Sequence, residues 1–225
     1  MISMPTQIGV QVADDETAAA LHLSLGGAGL IVGNDEHGAS VAVRFFEREP
    51  RNYVSIGGLK FLQLLAFRAL GLSASVVVKT QRPAAWESFV RISAGSTASI
   101  RCVPEIADVP RGTPNRPALL IVDSDSGIAG ELSNGGDWSA VLSAYDYVSQ
   151  WNIEALAHAD TVFAQSLSMA EATLVTRKLA IDEPPETLGR IPDGQLAVVS
   201  RHEVHFVHLS MTSVEKWMIG TLERR

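Results

Sequence analysis

Apolar residues in this chain fall into short runs separated by polar turns, and the runs alternate between two periodicities. Residues 118–122 are a continuous apolar run of strand length, and residues 74–78 are a similar run interrupted only by Ser75; such runs are typical of strands buried on both faces. Residues 59–70 predict a helix that is apolar on nearly every face. Residues 83–92 predict another helix, which begins with Pro83 in the first turn, the position that proline favours. The alternation predicts an α/β fold with a mostly parallel central sheet.

Two hairpins are predicted to flank this core. Residues 30–32 and 41–46 enclose a polar turn and predict an N-terminal hairpin, and residues 196–200 and 204–209 predict a C-terminal one. Serine or threonine followed three residues later by glutamate predicts the start of two more helices, one of which closes the chain. These capping boxes are Ser168 with Glu171 and Thr212 with Glu215. Further upstream, residues 8–12 predict a strand and residues 14–25 a short helix.

Length and composition limit the classes of protein that need consideration. The 225 residues fit one domain over 1–225, with a β-rich lead-in over 1–50 and an α/β core over 51–225. Eighteen basic and 25 acidic residues give a net charge of -7, which argues against a surface built for nucleic acid. No signal peptide or long uninterrupted apolar run is recognised, so a cytoplasmic protein is expected, with contact to a membrane complex left open.

Candidate metal and nucleophile sites are weak in this sequence. His202, His205 and His208 alternate along one predicted strand and cannot all share a face, so no metal is predicted. Ser124 and Ser126 lack the G-x-S-x-G elbow of a serine nucleophile. The lone cysteine, Cys102, is expected in a buried strand, and the four tryptophans are expected to pack in the core or at its edge. The tryptophans are Trp86, Trp138, Trp151 and Trp217.

The segment from residue 52 to residue 60 is the most informative motif. It begins as a phosphate-binding loop, with Gly57 and Gly58 after an apolar strand and Lys60 two residues later. A working loop needs G-x-x-x-x-G-K-[ST], because several backbone N–H groups must surround the phosphates while the lysine and hydroxyl reach the terminal phosphate and Mg²⁺. This loop is too short, and Phe61 follows Lys60. The motif predicts a nucleotide-hydrolase framework that has lost its chemistry.

The order of motifs resembles the FtsK/SpoIIIE-type ATPases, which include the motor ATPases of type VII secretion systems. The resemblance runs from about residue 29 to residue 220. It rests first on a glycine-containing strand, a hairpin and the strand that leads into the phosphate loop. It rests further on later strand, helix and turn segments. These segments are residues 31–38, 41–43, 52–58, 160–179 and 192–197. The resemblance implies a three-layer P-loop NTPase-like fold, preceded by a β-hairpin and closed by a hairpin plus helix.

Family roles transfer to few positions. Gly57 and Gly58 match the start of Walker A, Lys60 is the stand-in for its lysine, and Asp123 matches the Walker B aspartate that positions Mg²⁺. Ser124 stands where the family carries its catalytic glutamate. The resemblance therefore implies a vestigial nucleotide site with no catalytic residue and no cofactor. Residues 80–83, Thr-Gln-Arg-Pro, spell a family motif but precede the Asp123 strand, so they are interpreted as a coincidence.

Three functional hypotheses remain open. The leading one is a non-catalytic pseudo-ATPase-like module that binds protein partners in a type VII secretion system, as a homo- or hetero-oligomer. The second is a nucleotide sensor or small α/β enzyme that uses the crevice near Gly57, Gly58 and Asp123. The third is a nucleic-acid-associated relative of the DNA translocases, which the acidic charge disfavours. The first hypothesis predicts a short closed loop and an exposed apolar patch, and the second predicts polar groups converging on Asp123.

Overall fold

In a computed structural model the described residues form a ten-stranded mixed sheet with helices on both faces. These residues are 29–93, 99–106, 108–123, 135–200 and 202–222. The strands are β1 (Leu30–Asn34), β2 (Ser40–Val43), β3 (Arg51–Ile56), β4 (Ser75–Thr80), β5 (Ile100–Val103), β6 (Ala118–Asp123), β7 (Ser139–Tyr145), β8 (Thr161–Ala164), β9 (Gln195–Ser200) and β10 (Glu203–His208). Their order across the sheet is β2-β1-β10-β9-β8-β3-β7-β6-β4-β5.

The sheet has a parallel part and an antiparallel extension. Strands β8, β3, β7, β6, β4 and β5 run parallel, each paired with the next. From β8 outward, β9, β10, β1 and β2 are joined by antiparallel pairs. The predicted α/β class with a mostly parallel sheet is confirmed. Both predicted hairpins are present, and they lie side by side because β1 pairs with β10.

Helices cover both faces of the sheet. They are α1 (Leu59–Gly71), α2 (Ala84–Ser93), a 3-10 helix (Ile153–His158), α3 (Met169–Leu179), α4 (Pro185–Leu188) and α5 (Ser213–Ile219). Side chains of α1, α2 and α5 pack with one face of the strands, and those of the 3-10 helix, α3 and α4 pack with the other. Alternate residues of β6 enter different clusters, with Leu119 on the α1 side and Leu120 opposite. This sandwich is the predicted three-layer arrangement.

Helix boundaries follow local chemistry, with one correction. Both predicted capping boxes are present, at Ser168 with Glu171 and at Thr212 with Glu215. Gly71 directly follows the apolar helical run 59–70, and a glycine there predicts the C-cap of α1. It is instead the last helical residue, and the left-handed turn falls on Ser73 with φ 62°. The N–H of Ser73 donates to the carbonyl of Leu70 at 2.9 Å, and that bond closes the helix end.

Strand β7 was missed in the sequence, yet it lies between β3 and β6 and pairs with both. Its seven residues, SAVLSAY, include two serines and two alanines, which have little β-propensity. Burial between two strands stabilises it where propensity does not. The strand sets the distance between the Gly57 turn and Asp123, which end the flanking strands.

Three predictions fall on residues outside the described ranges: the strand at 8–12, the helix at 14–25 and the two serines Ser124 and Ser126. Among the helices that the structure describes, none is long and apolar enough to cross a bilayer.

Candidate functional site

A cleft of about 1160 Å³ opens at the carboxyl ends of the parallel strands. It is bounded by the β3–α1 connection, the chain after β7 and the start of α3. Its lining carries both signs of charge, with Lys60 and Arg82 alongside Asp146 and Glu171. Ligands of open α/β sheets bind at this edge, so the cleft is the candidate site.

The connection between β3 and α1 consists of Gly57 and Gly58 alone. Both of its N–H groups are bound within the protein: Gly57 donates to the carbonyl of Tyr145 at 3.0 Å, and Gly58 donates to Oε1 of Gln165 at 2.9 Å. A Cβ on Gly57 would lie 2.3 Å from the same Oε1, so only glycine allows this approach. The turn is short, and its amides are directed at protein acceptors.

Lys60 lies in the first turn of α1 and lines the cleft. Its Nζ stands 3.6 Å from the position that a Cβ on Gly220 would occupy, so the side chain extends toward the end of α5. Gly220 is the C-cap residue of that helix. The sequence-predicted stand-in for the Walker A lysine is therefore placed between the cleft and α5.

The amino terminus of α3 also reaches the cleft, and it is capped by the carboxylate of Glu171 from the same helix. Glu171 accepts the N–H of Ser168 at 2.9 Å through Oε2 and the N–H of Val148 at 3.0 Å through Oε1. The carboxylate thus fixes both the helix start and the loop after β7. An acidic side chain at a helix amino terminus occupies the position that an anionic ligand would favour.

Asp123 ends β6 and is only 1% exposed. Its Oδ2 accepts hydrogen bonds from Oγ1 of Thr80 at 3.0 Å and from the indole N–H of Trp86 at 2.7 Å. Nε of Arg82 donates to both carboxylate oxygens at 3.1 Å. A buried carboxylate needs such partners, because desolvation without them is costly.

Arg82 connects Asp123 with a second carboxylate. Its Nη1 donates to Oδ2 of Asp146 at 3.0 Å, while Nη2 is bonded to Asp123 and also lies 3.3 Å from Oδ1 of Asp146. The hydrogen bond to Asp123 is the largest cause of the raised pKa of the Arg82 guanidinium, and Asp146 adds to it. Arg82 therefore stands as a permanent cation between the two aspartates.

Magnesium with a nucleotide is the ligand that a P-loop resemblance implies, and the described residues do not fit it. The Gly57–Gly58 turn is too short to surround phosphates, and Phe61 stands where the Mg²⁺-binding hydroxyl belongs. The candidate Mg²⁺ aspartate, Asp123, is directed at Arg82 and Trp86. Arg82 and Trp86 donate hydrogen bonds to this carboxylate, and the guanidinium of Arg82 neutralises its charge.

The predicted site residues share one edge of the sheet but do not converge. Gly57, Gly58 and Lys60 line the cleft, whereas Asp123 is level with Ser55 two strands away, about 10 Å across the sheet. The residues that connect these positions, Arg82 and Asp146, were not predicted as site residues.

The sequence offered a signal for both missed residues. The Thr-Gln-Arg-Pro segment was interpreted as a coincidence, but Thr80 and Arg82 from it contact Asp123 directly. Asp146 directly follows the apolar run of β7, as Asp123 does at the end of β6. Strands β4 and β7 flank β6, so parallel topology predicts that these three strand ends meet.

Two tryptophans predicted to pack in or beside the core are exposed instead. Trp151 is 96% exposed in the loop after β7, and Trp217 is 74% exposed on α5. Tyr147, which lines the cleft, is 58% exposed. Trp86 alone among the four is fully buried, and its indole N–H binds Asp123.

The remaining candidates do not form sites. Nδ1 of His202 lies 2.6 Å from the carbonyl of Leu179, and His205 lies 3.5 Å from Glu203. No group of three or more possible metal ligands occurs among the residues that the structure describes. Cys102 is half-buried in β5, and burial raises its thiol pKa.

Solved structures of other proteins share this fold. The genome packaging NTPase B204 of Sulfolobus turreted icosahedral virus 2, in complex with AMPPCP, has a TM-score of 0.52 and 10% identity, over 72% of this chain and 98% of that chain. VirB4 of Thermoanaerobacter pseudethanolicus has a TM-score of 0.52 and 9% identity, over 84% of this chain and 98% of that chain. The cytoplasmic domain of EssC has a TM-score of 0.50 and 13% identity, over 84% of this chain and 44% of that chain.

The fold is therefore P-loop NTPase-like, as the sequence predicted. Identities of this size establish a shared fold and nothing finer. This chain spans less than half of the EssC domain to which it is similar. The sequence matches no protein-family model, and no curated protein matches it.

Proposed function

We propose that this chain is a non-catalytic, pseudo-ATPase-like module that acts through protein–protein contacts, as a structural or regulatory component of a type VII secretion system. The observation that carries the proposal is the Arg82–Asp123 pair. The carboxylate that would position Mg²⁺ in a working NTPase is buried against a cation of the same chain.

The phosphate-loop geometry supports the same conclusion. A catalytic loop directs several backbone N–H groups at the phosphates, and both N–H groups of the Gly57–Gly58 turn are bound to Tyr145 and Gln165. Phosphoryl transfer depends almost wholly on positioning and charge stabilisation, so losing these donors removes the main sources of catalysis.

Exposed aromatic residues support a binding role. Tyr147, which lines the cleft, and Trp151 lie in the loop after β7, and Trp217 lies with Val214 on the exposed face of α5. Val214 and Trp217 are three residues apart, so they share one face of the helix. Aromatic residues at such positions commonly contribute most of the binding energy of an interface.

The secretion context rests on the sequence resemblance to FtsK/SpoIIIE-type ATPases. The EssC structure agrees with it in fold and is a cytoplasmic domain, which is the location we propose for this chain. Partners are proposed to be other proteins of the system, including further copies or related modules. The net charge of -7 favours protein partners over nucleic acid.

Nucleotide-dependent stabilisation tests the non-catalytic role. Melting curves with ATP, ADP or GTP and Mg²⁺ are expected to equal the nucleotide-free curve, and phosphate release is expected to equal the protein-free background. A nucleotide that binds, present at a concentration one hundred times its dissociation constant, would add about 2.7 kcal/mol to the free energy of unfolding. Turnover above background that is reduced in Lys60→Ala would overturn the proposal, because Lys60 is the stand-in for the Walker A lysine.

The partner-binding role needs a separate measurement. Binding of purified candidate partners to the wild-type chain is compared with binding to Trp151→Ser and Trp217→Ser, whose side chains are 96% and 74% exposed. Loss of binding in one variant with unchanged melting temperature supports a partner surface. Equal binding by wild type and both variants argues against these aromatic residues as the surface.

A nucleotide sensor is the second candidate, because the 1160 Å³ cleft contains Lys60, Ser166 and Ser168. It predicts stabilisation by a nucleotide without turnover. The Lys60→Ala variant would reduce that stabilisation if the ammonium contacts the ligand.

A further inference from the structure

Three neighbouring strands bring one arginine and two aspartates together at the cleft. Asp123 ends the central strand β6, Arg82 follows β4 on one side, and Asp146 follows β7 on the other. Arg82 crosses the end of β6 and binds both carboxylates. The arginine therefore spans the strand end at which a P-loop fold would place its metal ion.

The guanidinium makes the contacts of a cation with two carboxylates. Nε and Nη2 are bonded to Asp123, and Nη1 donates to Asp146 at 3.0 Å. Carboxylate oxygens are also the ligands that Mg²⁺, Ca²⁺ and Mn²⁺ prefer in proteins. One set of oxygens thus serves either an arginine or a divalent ion, but not both.

Local structure holds Arg82 in this position. Its backbone N–H donates to Oγ1 of Thr80 at 3.0 Å, and the same hydroxyl donates to Asp123. Pro83 has a fixed φ and restricts the backbone of the residue before it, Arg82. Trp86 of the helix α2 that follows also donates to Asp123. Movement of the arginine out of the cleft would leave a carboxylate that is 1% exposed without its counter-charge.

We propose that Arg82 is a tethered cation that takes the place of a divalent metal ion between Asp123 and Asp146, and so excludes metal from the cleft. This inference deepens the proposed function, on which it rests, by naming the residue that closes the site. It requires that removal of the guanidinium convert the two aspartates into a divalent-cation site. It also requires that the ion restore the stability that the arginine supplied.

Arg51 offers a matched control on the same chain. It also binds two carboxylates, Glu47 and Asp160, but at the opposite end of the sheet and away from the cleft. These carboxylates are 29% and 35% exposed, so water compensates them when the arginine is lost. Arg51→Ala is therefore expected to create no cation site.

Mn²⁺ alone, without nucleotide, is the probe, and electron paramagnetic resonance of the free ion measures its binding. The proteins are the wild type, Arg82→Ala, Arg82→Gln, Arg82→Ala with Asp123→Asn, and Arg51→Ala. Arg82→Ala is expected to bind one Mn²⁺ with a dissociation constant of about 10⁻³ M or below, the range of weak oxygen-ligand sites. The wild type, the double variant and Arg51→Ala are expected to bind at least tenfold more weakly.

Melting temperatures with and without Mn²⁺ supply a second measurement. Arg82→Ala and Arg82→Gln are expected to melt below wild type. Mn²⁺ is expected to restore part of the loss in both, because each lacks the guanidinium, but not in Arg82→Ala with Asp123→Asn. Binding of Mn²⁺ by wild type within tenfold of the affinity of Arg82→Ala would overturn the inference. A folded Arg82→Ala without added affinity would also overturn it, as would variants that stay unfolded in Mn²⁺.

The outcomes separate this inference from the proposed function. If wild type hydrolyses ATP, the non-catalytic role fails whatever Mn²⁺ does. If wild type is inactive and Arg82→Ala gains no Mn²⁺ affinity, the non-catalytic role stands and the tethered cation is rejected.

Discussion

The two ends of the parallel sheet carry the same set of charges in different surroundings. At the carboxyl ends, Arg82 binds Asp123 and Asp146, and at the amino ends, Arg51 binds Glu47 and Asp160. The pKa of each arginine is raised by its carboxylates, for Arg82 mainly by Asp123 and for Arg51 mainly by Glu47. Charge alone does not distinguish the two groups.

Burial distinguishes them. The Asp123 side chain is 1% exposed and receives hydrogen bonds from Thr80 and Trp86 as well as Arg82, whereas Glu47 and Asp160 are 29% and 35% exposed. An exposed carboxylate that loses its arginine is compensated by water, and a buried one is not. The Arg82–Asp123 pair is therefore expected to be essential to the fold, whereas Asp146, which is 42% exposed, and the Arg51 group are expected to contribute little.

The largest expected effect is that of Asp123→Asn. The change removes the buried one of the two counter-charges of Arg82 and leaves an amide N–H₂ among donors, which we expect to lower the free energy of unfolding by about 3–5 kcal/mol. The matched Asp160→Asn is expected to cost about 1 kcal/mol or less, since Asp160 is 35% exposed. Urea unfolding measures both, and equal losses would contradict the assigned role of burial.

Arg68 tests whether burial matters without a second carboxylate. Glu215 is its one carboxylate partner among the described residues, and its guanidinium also donates to the backbone carbonyls of Ile31 and Ser210. The Arg68 and Glu215 side chains are 13% and 5% exposed. Burial raises the pKa of Glu215, but the hydrogen bonds from Arg68 and Thr212 outweigh it, so the net pKa is lowered. Glu215→Gln is expected to lower the free energy of unfolding by about 2–3 kcal/mol at pH 7.

The same pair predicts a pH dependence with a definite sign. Because the pKa of Glu215 is lower in the folded state, the stability it supplies is complete above the unfolded value of about 4.3 and is lost as pH falls through the folded value. Acid unfolding below about pH 4.3 should be less steep in Glu215→Gln than in wild type. Parallel stability curves for the two proteins would contradict a lowered pKa.

The next effect tests the closed turn at the carboxyl end. In Gly57→Ala, the new Cβ would lie 2.3 Å from Oε1 of Gln165, so that side chain must move and release Gly58. A loss of about 1–2 kcal/mol is expected, and because the clash is relieved in Gly57→Ala with Gln165→Ala, the double variant should lose less than the sum of the singles.

Gly71→Ala is the control for the turn. No atom lies within 4 Å of the Cβ position at Gly71, which is the last residue of α1. This substitution is expected to be neutral or to stabilise by up to about 1 kcal/mol. If the losses of stability in Gly57→Ala and Gln165→Ala add up to the loss in the double variant, the two residues do not act together.

The smallest expected effect is that of Glu47→Gln in the Arg51 group. The carboxylate is 29% exposed and Arg51 keeps Asp160, so the free energy of unfolding should change by about 0.2–1 kcal/mol. The change should shrink further in 1 M salt, which screens charges near the surface. A loss comparable to that of Asp123→Asn would remove the distinction between the two ends of the sheet.

Most of the fold could be predicted because its signals are local. The structure contains the strands predicted at 74–78 and 118–122, the apolar helix that begins at Leu59 and the two capping boxes. Strand β7 could not be predicted, because its serines and alanines have little β-propensity and its stability comes from burial between β3 and β6.

The candidate site was predictable only in part, for a related reason. Gly57, Gly58 and Lys60 belong to one contiguous motif, and Asp123 follows a clear strand. Arg82 and Asp123 are 41 residues apart, and they meet only because β4 pairs with β6, a pairing that neither segment shows by itself. The exposure of Trp151 and Trp217 likewise depends on which surfaces the rest of the chain leaves uncovered.

The sequence by itself determined the α/β class, the two hairpins, the helix starts and the short Gly57–Gly58 turn, because periodicity, capping and loop length act over a few residues. Only the tertiary structure decided what Asp123 does. It buries the carboxylate and places Arg82 and Asp146 from the neighbouring strands on either side. Pairing of strands distant in sequence brings these charges together, and desolvation then requires that the buried charge be neutralised.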